Sequence, residues 1–98
     1  EGADRVVIDS TPARLSDYGC PPAFDPVNHL PTDCSDFLML AGDKDGVVTH
    51  AMSGELLEQA QQCGARVRRE ADFAHPFMDR DRAVHRRRLE LIEAYLLR

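Results

Sequence analysis

Residues 37–48, with the sequence FLMLAGDKDGVV, decide how the rest of the chain is interpreted. The first five residues form a continuous apolar run that is too short for a helix and is typical of a strand buried on both faces. Gly42 follows, and then Asp43 and Asp45 flank a lysine. In parallel α/β sheets, ligands and catalytic groups gather at the carboxyl ends of the strands. The stretch therefore predicts a central strand that presents two carboxylates at that end.

Upstream of this strand, the sequence predicts a short strand and a long connection. Residues 1–9 are assigned to a first strand, because residues 5–8 (RVVI) are apolar and β-branched. Residues 10–36 hold five of the six prolines, so we expect neither a helix nor a central strand there, apart from one short turn near residues 13–18. A connection of this length is functional, belongs to a larger body, or is an ordinary surface excursion.

Downstream, residues 37–98 read as a strand–helix–strand–helix unit. Thr49 is expected to cap the first helix and Gly64 to follow its end. The apolar residues of this helix recur at spacings of three and four: Met52, Leu56, Leu57, Ala60 and Cys63. Residues 65–70 are predicted to form the third strand, with Val67 as its apolar anchor.

The last part of the chain is predicted to be a loop and a helix. The loop spans residues 71–78 around His75, and the helix begins at Asp79. One face of that helix is expected to comprise Val84, Arg88, Leu91, Ile92, Tyr95 and Leu96. The arginine run at 86–88 is interpreted as a solvated helix face. Alternation of strands and helices predicts an α/β fold, with a partial parallel sheet of about three strands and flanking helices.

Composition limits the classes of function. The 98 residues make a single domain or a domain fragment, and 43% hydrophobic with 30% charged residues is ordinary globular composition. The net charge is −5, which argues against a nucleic-acid partner. No apolar run approaches the roughly 20 residues that a membrane helix needs, and no signal-peptide pattern is present.

The chain has three cysteines: Cys20, Cys34 and Cys63. They lack CxxC spacing, so we expect neither zinc binding nor redox chemistry. Cys20 and Cys34 could pair in an oxidising compartment, but free thiols in a cytoplasmic protein are the favoured interpretation.

His75 follows the third strand as Asp43 and Asp45 follow the second, although about thirty residues separate them in sequence. Parallel neighbouring strands bring their carboxyl ends together, so one acid can accept a hydrogen bond from the imidazole. That bond fixes the tautomer and leaves the other nitrogen free to act as a general base. The remaining histidines have no such partner and are expected on the surface: His29, His50 and His85.

Residues 36–97 resemble the C-terminal part of an α/β-hydrolase, which comprises the last two strands and the last two helices of that fold. The resemblance rests on the apolar strand ending in Gly42, the G-D-K-D-G-V-V turn, the helix, the third strand and the A-H-P-F loop. It implies that Asp45 is the triad acid and His75 the triad base. Supporting roles would fall to Asp43 and Gly46 in the turn and to Phe77, which suits an acyl pocket as well as core packing.

Three departures from the family pattern are clear, and one is that residues 10–36 match no single subfamily, so they do not indicate the substrate class. Family members often have glycine before the histidine, where this chain has Ala74. The family nucleophile is usually a serine in G-x-S-x-G, and this motif is absent from the sequence. The resemblance therefore implies the C-terminal part of an esterase- or lipase-like serine hydrolase that acts on a small ester, needs no cofactor or metal, and is completed by an upstream segment or a companion chain. The 98 residues alone are expected to be inactive.

Two alternatives remain open. The chain could be a non-catalytic, hydrolase-like module for binding or assembly. It could also hold calcium, because residues 43–49 match the middle of an EF-hand loop. In that register, however, Ala41 and Met52 occupy the first and last ligand positions, and no convincing helix precedes the loop.

Overall fold

The computed structural model describes residues 4–97 of the chain. Its regular elements are three strands, β1 (Val6–Asp9), β2 (Phe37–Gly42) and β3 (Arg66–Glu70), and two helices, α1 (His50–Gln62) and α2 (Arg82–Leu96). The strands form one parallel sheet in the order β1-β2-β3, so the predicted α/β class is confirmed. Residues 1–3 of the predicted first segment, and residue 98, lie outside the described range.

The central strand β2 is buried on both faces, as its continuous apolar sequence predicts. Val6 of β1 lies opposite Phe37, and Arg66 of β3 lies opposite Leu38. From Leu38 to Ala41, every β2 side chain is almost completely inaccessible to solvent. Because successive side chains of a strand point to opposite faces, β2 supplies apolar residues to both layers of the fold.

One layer consists of α1 and the connection before β2. It forms a cluster of buried residues: Ala13, Val27, Cys34, Met39, Ala41, Leu56, Leu57, Ala60 and Ala65. On the other face, Leu38 lies with Leu91 and Tyr95 of α2. The sheet therefore has a helix on each side, and the carboxyl ends of its strands remain at one edge.

The helix ends differ in part from the prediction. Thr49 precedes α1, but its side chain makes no capping hydrogen bond. Gly64 follows α1 with a φ of 109°, the left-handed conformation that favours glycine after a helix. The second helix begins three residues later than Asp79, because the Asp81 carboxylate accepts the N–H of Ala83 at 2.8 Å and caps the helix there.

The connection from 10 to 36 is more ordered than its prolines suggest. It contains three short 3-10 helices: Leu15–Tyr18, Pro22–Phe24 and Pro26–Asn28. The first coincides with the predicted turn, and the other two were not predicted. Each of these two has proline at its first position, where the missing N–H costs no hydrogen bond.

Cys34 and Cys63 form a disulfide with a Cα–Cα distance of 5.1 Å, whereas Cys20 is free and exposed. The preference for free thiols was wrong, and so was Cys20–Cys34 as the alternative pair. The fold explains the correction, since the end of the connection runs beside the end of α1 and Cys34 N–H donates to the Cys63 carbonyl at 2.8 Å. A cytoplasmic location stays a prediction, and its argument from free thiols no longer holds.

Arginine placement on α2 also needs correction. Arg88 is buried, so the run at 86–88 is not wholly solvated; Arg86 and Arg87 are exposed as predicted. Tyr95 shares the buried face, but Leu96 is exposed and was wrongly assigned to it. Within residues 4–97, the structure has no helix with the length and apolar character needed to cross a membrane.

The three histidines expected on the surface differ in their exposure to solvent. His29 and His50 are exposed. His85 is half-buried, and its ring lies 5.5 Å from the ring of Phe77. The difference follows from the packing of the loop after β3 against the first turns of α2.

Candidate active site

Asp45 lies in the turn after β2, and this turn is held against the loop after β3. The Lys44 N–H donates to the carbonyl of Phe73 at 3.0 Å. Phe73 itself is fully buried and stands two residues before His75. The two segments that follow neighbouring strands therefore meet at the carboxyl edge of the sheet, as parallel pairing predicts.

The Asp45 carboxylate is bonded at both oxygens. Its Oδ1 accepts the N–H groups of Val47 and Val48, both at 2.8 Å. Its Oδ2 lies 2.9 Å from Nδ1 of His75. Only 1% of the Asp45 side chain is exposed, so protein groups rather than water surround this carboxylate. The structure thus joins the two residues that the sequence predicted would meet.

These contacts set the charge of Asp45. Burial works to raise the pKa of Asp45, but the hydrogen bonds from the Val48 N–H, the His75 ring and the Val47 N–H outweigh it. The pKa of Asp45 is therefore lowered from its usual value, and the carboxyl group is ionised at neutral pH.

An ionised carboxylate can only accept hydrogen bonds, so Nδ1 of His75 must carry the proton in their contact. In the neutral imidazole, the lone pair is then on Nε2. The His75 side chain is 30% exposed, in contrast to its buried partner. This arrangement can accept a proton at Nε2 and stabilise the resulting imidazolium through Asp45.

Backbone contacts also fix the loop that carries His75. The Ala74 N–H donates to Oδ1 of Asp79 at 2.7 Å, and the Met78 N–H donates to the His75 carbonyl at 2.8 Å. Phe77 has a φ of 67°, a conformation rarely adopted by bulky residues. The loop therefore forms a tight turn immediately after the histidine.

The predicted supporting residues lie around the pair without touching it through their side chains. Asp43 is exposed, and its backbone N–H donates to the Glu70 carbonyl at 3.0 Å. Gly46 is exposed, has no left-handed φ, and would leave an added Cβ in open space. Phe77 is 85% exposed, so it does not pack in the core, and its ring lies beside that of His85. Asp45 is thus the acid of the pair, and Asp43 shapes the turn through its backbone.

An open groove of about 440 Å³ runs beside the loop. It is lined by Lys44, Asp72, Ala74, Met78, Asp79, Arg80, Asp81 and Val84. Neither Asp45 nor His75 lines this groove.

None of the serines among residues 4–97 hydrogen-bonds His75. Ser10 is the most suggestive of them, because it directly follows β1 and has a φ of 59°, and strained residues concentrate at functional sites. Its side chain is nevertheless buried, and its hydroxyl donates to Oδ1 of Asp9 at 2.8 Å. Ser10 is therefore not placed as the nucleophile for His75.

Arg88 lies beside the site and is buried, in agreement with its assignment to the face of α2 that carries Val84 and Tyr95 and in contrast to the interpretation of the 86–88 run as solvated. It contacts Asp9 and Asp79 through its guanidinium group and reaches the carbonyl before His75. The sequence does contain a signal for it, since Arg88 shares helical spacing with Val84 and Tyr95. An arginine on an otherwise apolar helix face indicates a buried ion pair rather than a solvated charge.

The turn around Asp45 differs from a calcium loop. A strand, β2, precedes it, where an EF-hand has a helix. Both oxygens of Asp45 already accept hydrogen bonds from Val47, Val48 and His75. Across the described part of the chain, no group of three or more His, Cys, Asp or Glu side chains is placed to hold a metal ion.

Comparison with known proteins adds no relative. No protein-family model, curated protein or solved structure is found to match the chain. The interpretation of Asp45 and His75 therefore depends on their geometry and on the chemistry of their contact.

Proposed function

We propose that this chain is the C-terminal part of a serine hydrolase that transfers an acyl group from a small ester, or a related acyl compound, to water. The observation that supports the proposal is the 2.9 Å contact between Oδ2 of Asp45 and Nδ1 of His75. A buried acid beside a partly exposed imidazole is the arrangement that general-base activation of a hydroxyl requires.

In this mechanism, Nε2 of His75 removes the proton of a serine hydroxyl while the serine oxygen attacks the substrate carbonyl. Asp45 stabilises the imidazolium that forms, and His75 then gives the proton to the leaving alcohol. Water repeats the sequence on the acyl-enzyme and restores the serine. Backbone N–H groups would stabilise the negative charge on the carbonyl oxygen during both steps.

The serine and the oxyanion-binding N–H groups are assigned to the remainder of the hydrolase domain, in an upstream segment or a companion chain. Residues 1–98 alone should give no burst of product, because a base and its orienting acid cannot form an acyl-enzyme without a nucleophile. The proposal requires no cofactor.

The test is covalent labelling of the full-length protein with a fluorophosphonate probe. The serine oxygen bonds to phosphorus, fluoride leaves, and His75 takes the hydroxyl proton. We expect His75→Ala to lower the labelling rate by at least about 100-fold, since that is the usual contribution of a positioned base. His29→Ala is the control, because His29 is exposed and its ring nitrogen contacts only the Ala23 carbonyl. Equal labelling rates for the two variants would contradict the proposal.

One observation favours a second function, a non-catalytic module for binding or assembly. Among residues 4–97, no serine hydrogen-bonds His75, and the Ser10 hydroxyl donates to Asp9. In that case the full-length protein would not react with the fluorophosphonate, and His75→Ala would leave partner binding unchanged.

A further inference from the structure

Arg88 is a charged residue placed inside the fold. It lies in the middle of α2, and only 2% of its side chain is exposed. Charged side chains are rarely buried to this extent unless they are paired, because removing a charge from water into a protein interior is strongly unfavourable. The partners of Arg88 therefore indicate what its burial achieves.

The guanidinium group connects the end of β1 to the loop after β3. Its Nη1 donates to Oδ1 and Oδ2 of Asp9 at 2.9 and 2.8 Å. Its Nη2 donates to the Ala74 carbonyl at 2.5 Å, and Nη2 and Nε reach Oδ2 of Asp79 at 3.3 and 3.4 Å. The strand β2, whose following turn carries Asp45, lies between these two regions. Arg88 thus connects the elements on either side of β2.

Ala74, the residue immediately before His75, is held at both of its backbone polar groups. Its carbonyl accepts from Arg88, and its N–H donates to Oδ1 of Asp79. Asp79 in turn accepts from Arg88 through its other oxygen. The three residues form a closed set of contacts that holds the peptide groups on both sides of Ala74, so the direction in which the chain enters His75 is fixed.

The Phe73 ring packs against the guanidinium group of Arg88. The guanidinium carbon lies 4.4 Å from the centre of the Phe73 ring, within the range of a cation–π contact. The planar guanidinium can stack on this ring while its N–H groups donate to the Asp9 carboxylate, the Asp79 carboxylate and the Ala74 carbonyl. A lysine would retain the charge but would reproduce neither the stacking nor the forked donation.

From these contacts we infer that Arg88 is a positioning residue for the Asp45–His75 pair. It clamps the Ala74 peptide to Asp79 and to the end of β1, and thereby sets the position of the His75 ring relative to the Asp45 carboxylate. This inference rests on the proposed function for its catalytic consequence, whereas its structural consequence can be measured without any activity.

The experiment is Arg88→Lys in the full-length protein, with the neighbouring Arg87→Lys as the matched control. Arg87 also pairs with acidic residues, Asp72 and Glu70, but it is exposed. One readout is the proton NMR signal of His75 Nδ1–H, which the Asp45 contact protects from exchange. The second readout is the change in kcat and, separately, the change in KM for an ester substrate. The third is the NMR spectrum of the backbone amides, which reports whether the variant is folded.

We expect Arg88→Lys to lose the Nδ1–H signal and to lower kcat by about 100-fold with little change in KM, because small displacements of a catalytic group have effects of this size. Arg87→Lys should keep both. An Arg88→Lys variant that is folded and retains the signal and kcat would overturn the inference. If Arg88→Lys does not fold, Asp79→Asn serves instead. It should keep the Ala74 N–H contact while weakening the hold on Arg88, and an unchanged Nδ1–H signal would likewise overturn the inference.

The two proposals can fail separately. If the unaltered protein shows the Nδ1–H signal, and Arg88→Lys removes it, the positioning role holds even where no hydrolase activity is found. If the protein hydrolyses esters and Arg88→Lys changes neither the signal nor kcat, the hydrolase proposal stands and Arg88 has no positioning role.

Discussion

Residues 37–97 and residues 10–36 are ordered by different kinds of contact. The first region is built from strands and helices whose apolar residues recur at regular spacings and meet on the two faces of β2. The second has three short 3-10 helices, five prolines and few buried apolar side chains. Its position is set largely by individual polar contacts and one disulfide. Regular burial is therefore not the only route to an ordered segment in this chain.

The connection depends on a buried acid, as the candidate active site does. Asp25 is completely inaccessible to solvent, and its two oxygens accept the N–H and hydroxyl of Ser16 at 2.8 and 2.9 Å. Arg14 lies 3.6 Å from Asp25 and also forms a paired contact with Glu55 of α1 at 2.9 and 2.8 Å. Asp25 thus orders a segment, whereas the equally buried Asp45 orients a histidine.

The largest expected effect is a loss of activity that leaves the fold of residues 37–97 intact. Under the proposed function, Asp45→Asn in the full-length protein should lower kcat by about 10⁴-fold, which is the effect of the same change in a Ser-His-Asp triad. The asparagine carbonyl can still accept from Val47 and Val48, so the turn should persist. Its amide group would face Nδ1 of His75 and favour the wrong tautomer. Steady-state kinetics and thermal unfolding of the same samples measure the two consequences.

Asp43→Asn is the control for this prediction. Asp43 is exposed, and its structural contact is through the backbone, so kcat should change little. A larger loss of kcat in Asp43→Asn than in Asp45→Asn would mean that the wrong acid has been assigned.

The next effect tests whether the connection contributes to stability. Cys34→Ser removes a disulfide that joins residues 29 apart, and it should lower the free energy of unfolding by about 3 to 4 kcal/mol. Cys20→Ser should have almost no effect, since Cys20 is free and exposed. Urea unfolding of both variants measures the difference. Equal stability of the two would show that the connection is held without its covalent link.

The same contrast explains how much the sequence could predict. The α/β class, the three strands, both helices and the meeting of one of the two acids with His75 all follow from apolar runs and from parallel strand order, whereas the choice of Asp45 over Asp43 came from the resemblance to the hydrolase family. These are signals that accumulate over many residues. The boundaries of α2 were less accurate, because a single side chain, that of Asp81, sets its first turn.

The contacts that were missed are single events between residues distant in sequence. Cys34 pairs with Cys63, and Arg88 pairs with Asp9 across 79 positions. Neither cysteine carries a local mark of its partner, and three cysteines permit three pairings. The Arg88 contact had a partial signal in its helical spacing, but the identity of its acidic partners depends on how α2 crosses the sheet.

A smaller effect compares two glycines at the edge of the candidate site. Gly42→Ala would place a Cβ 2.1 Å from the Phe73 carbonyl oxygen, so the backbone must shift. We expect it to lower the free energy of unfolding by about 1 to 3 kcal/mol, the usual cost of overpacking. Gly46→Ala should change it by less than about 0.5 kcal/mol, because its surroundings are open and its φ is not left-handed. Urea denaturation measures both. If the two substitutions lowered the free energy of unfolding by similar amounts, glycine would be required at position 46 as well as at position 42.

The smallest expected effect is a loss of stability at acid pH. The pKa of Asp25 is lowered because hydrogen bonds from Ser16 and the charge of Arg14 outweigh the opposing effect of burial. The pKa of Asp45 is also lowered. Both groups therefore bind protons more readily in the unfolded chain, and the stability they provide is complete above the unfolded-state pKa of about 4. It is lost as the pH falls towards their folded-state values.

Unfolding by urea at a series of pH values from 6 downwards should show this loss, and Asp25→Asn and Asp45→Asn should each make stability depend less steeply on pH in the acid range. The pair of variants also refines the comparison between the two regions. If only Asp45→Asn flattens the curve, the charge of Asp25 is not what orders the connection. Its hydrogen bonds from Ser16 would then suffice, since an asparagine carbonyl can accept one of them without any charge.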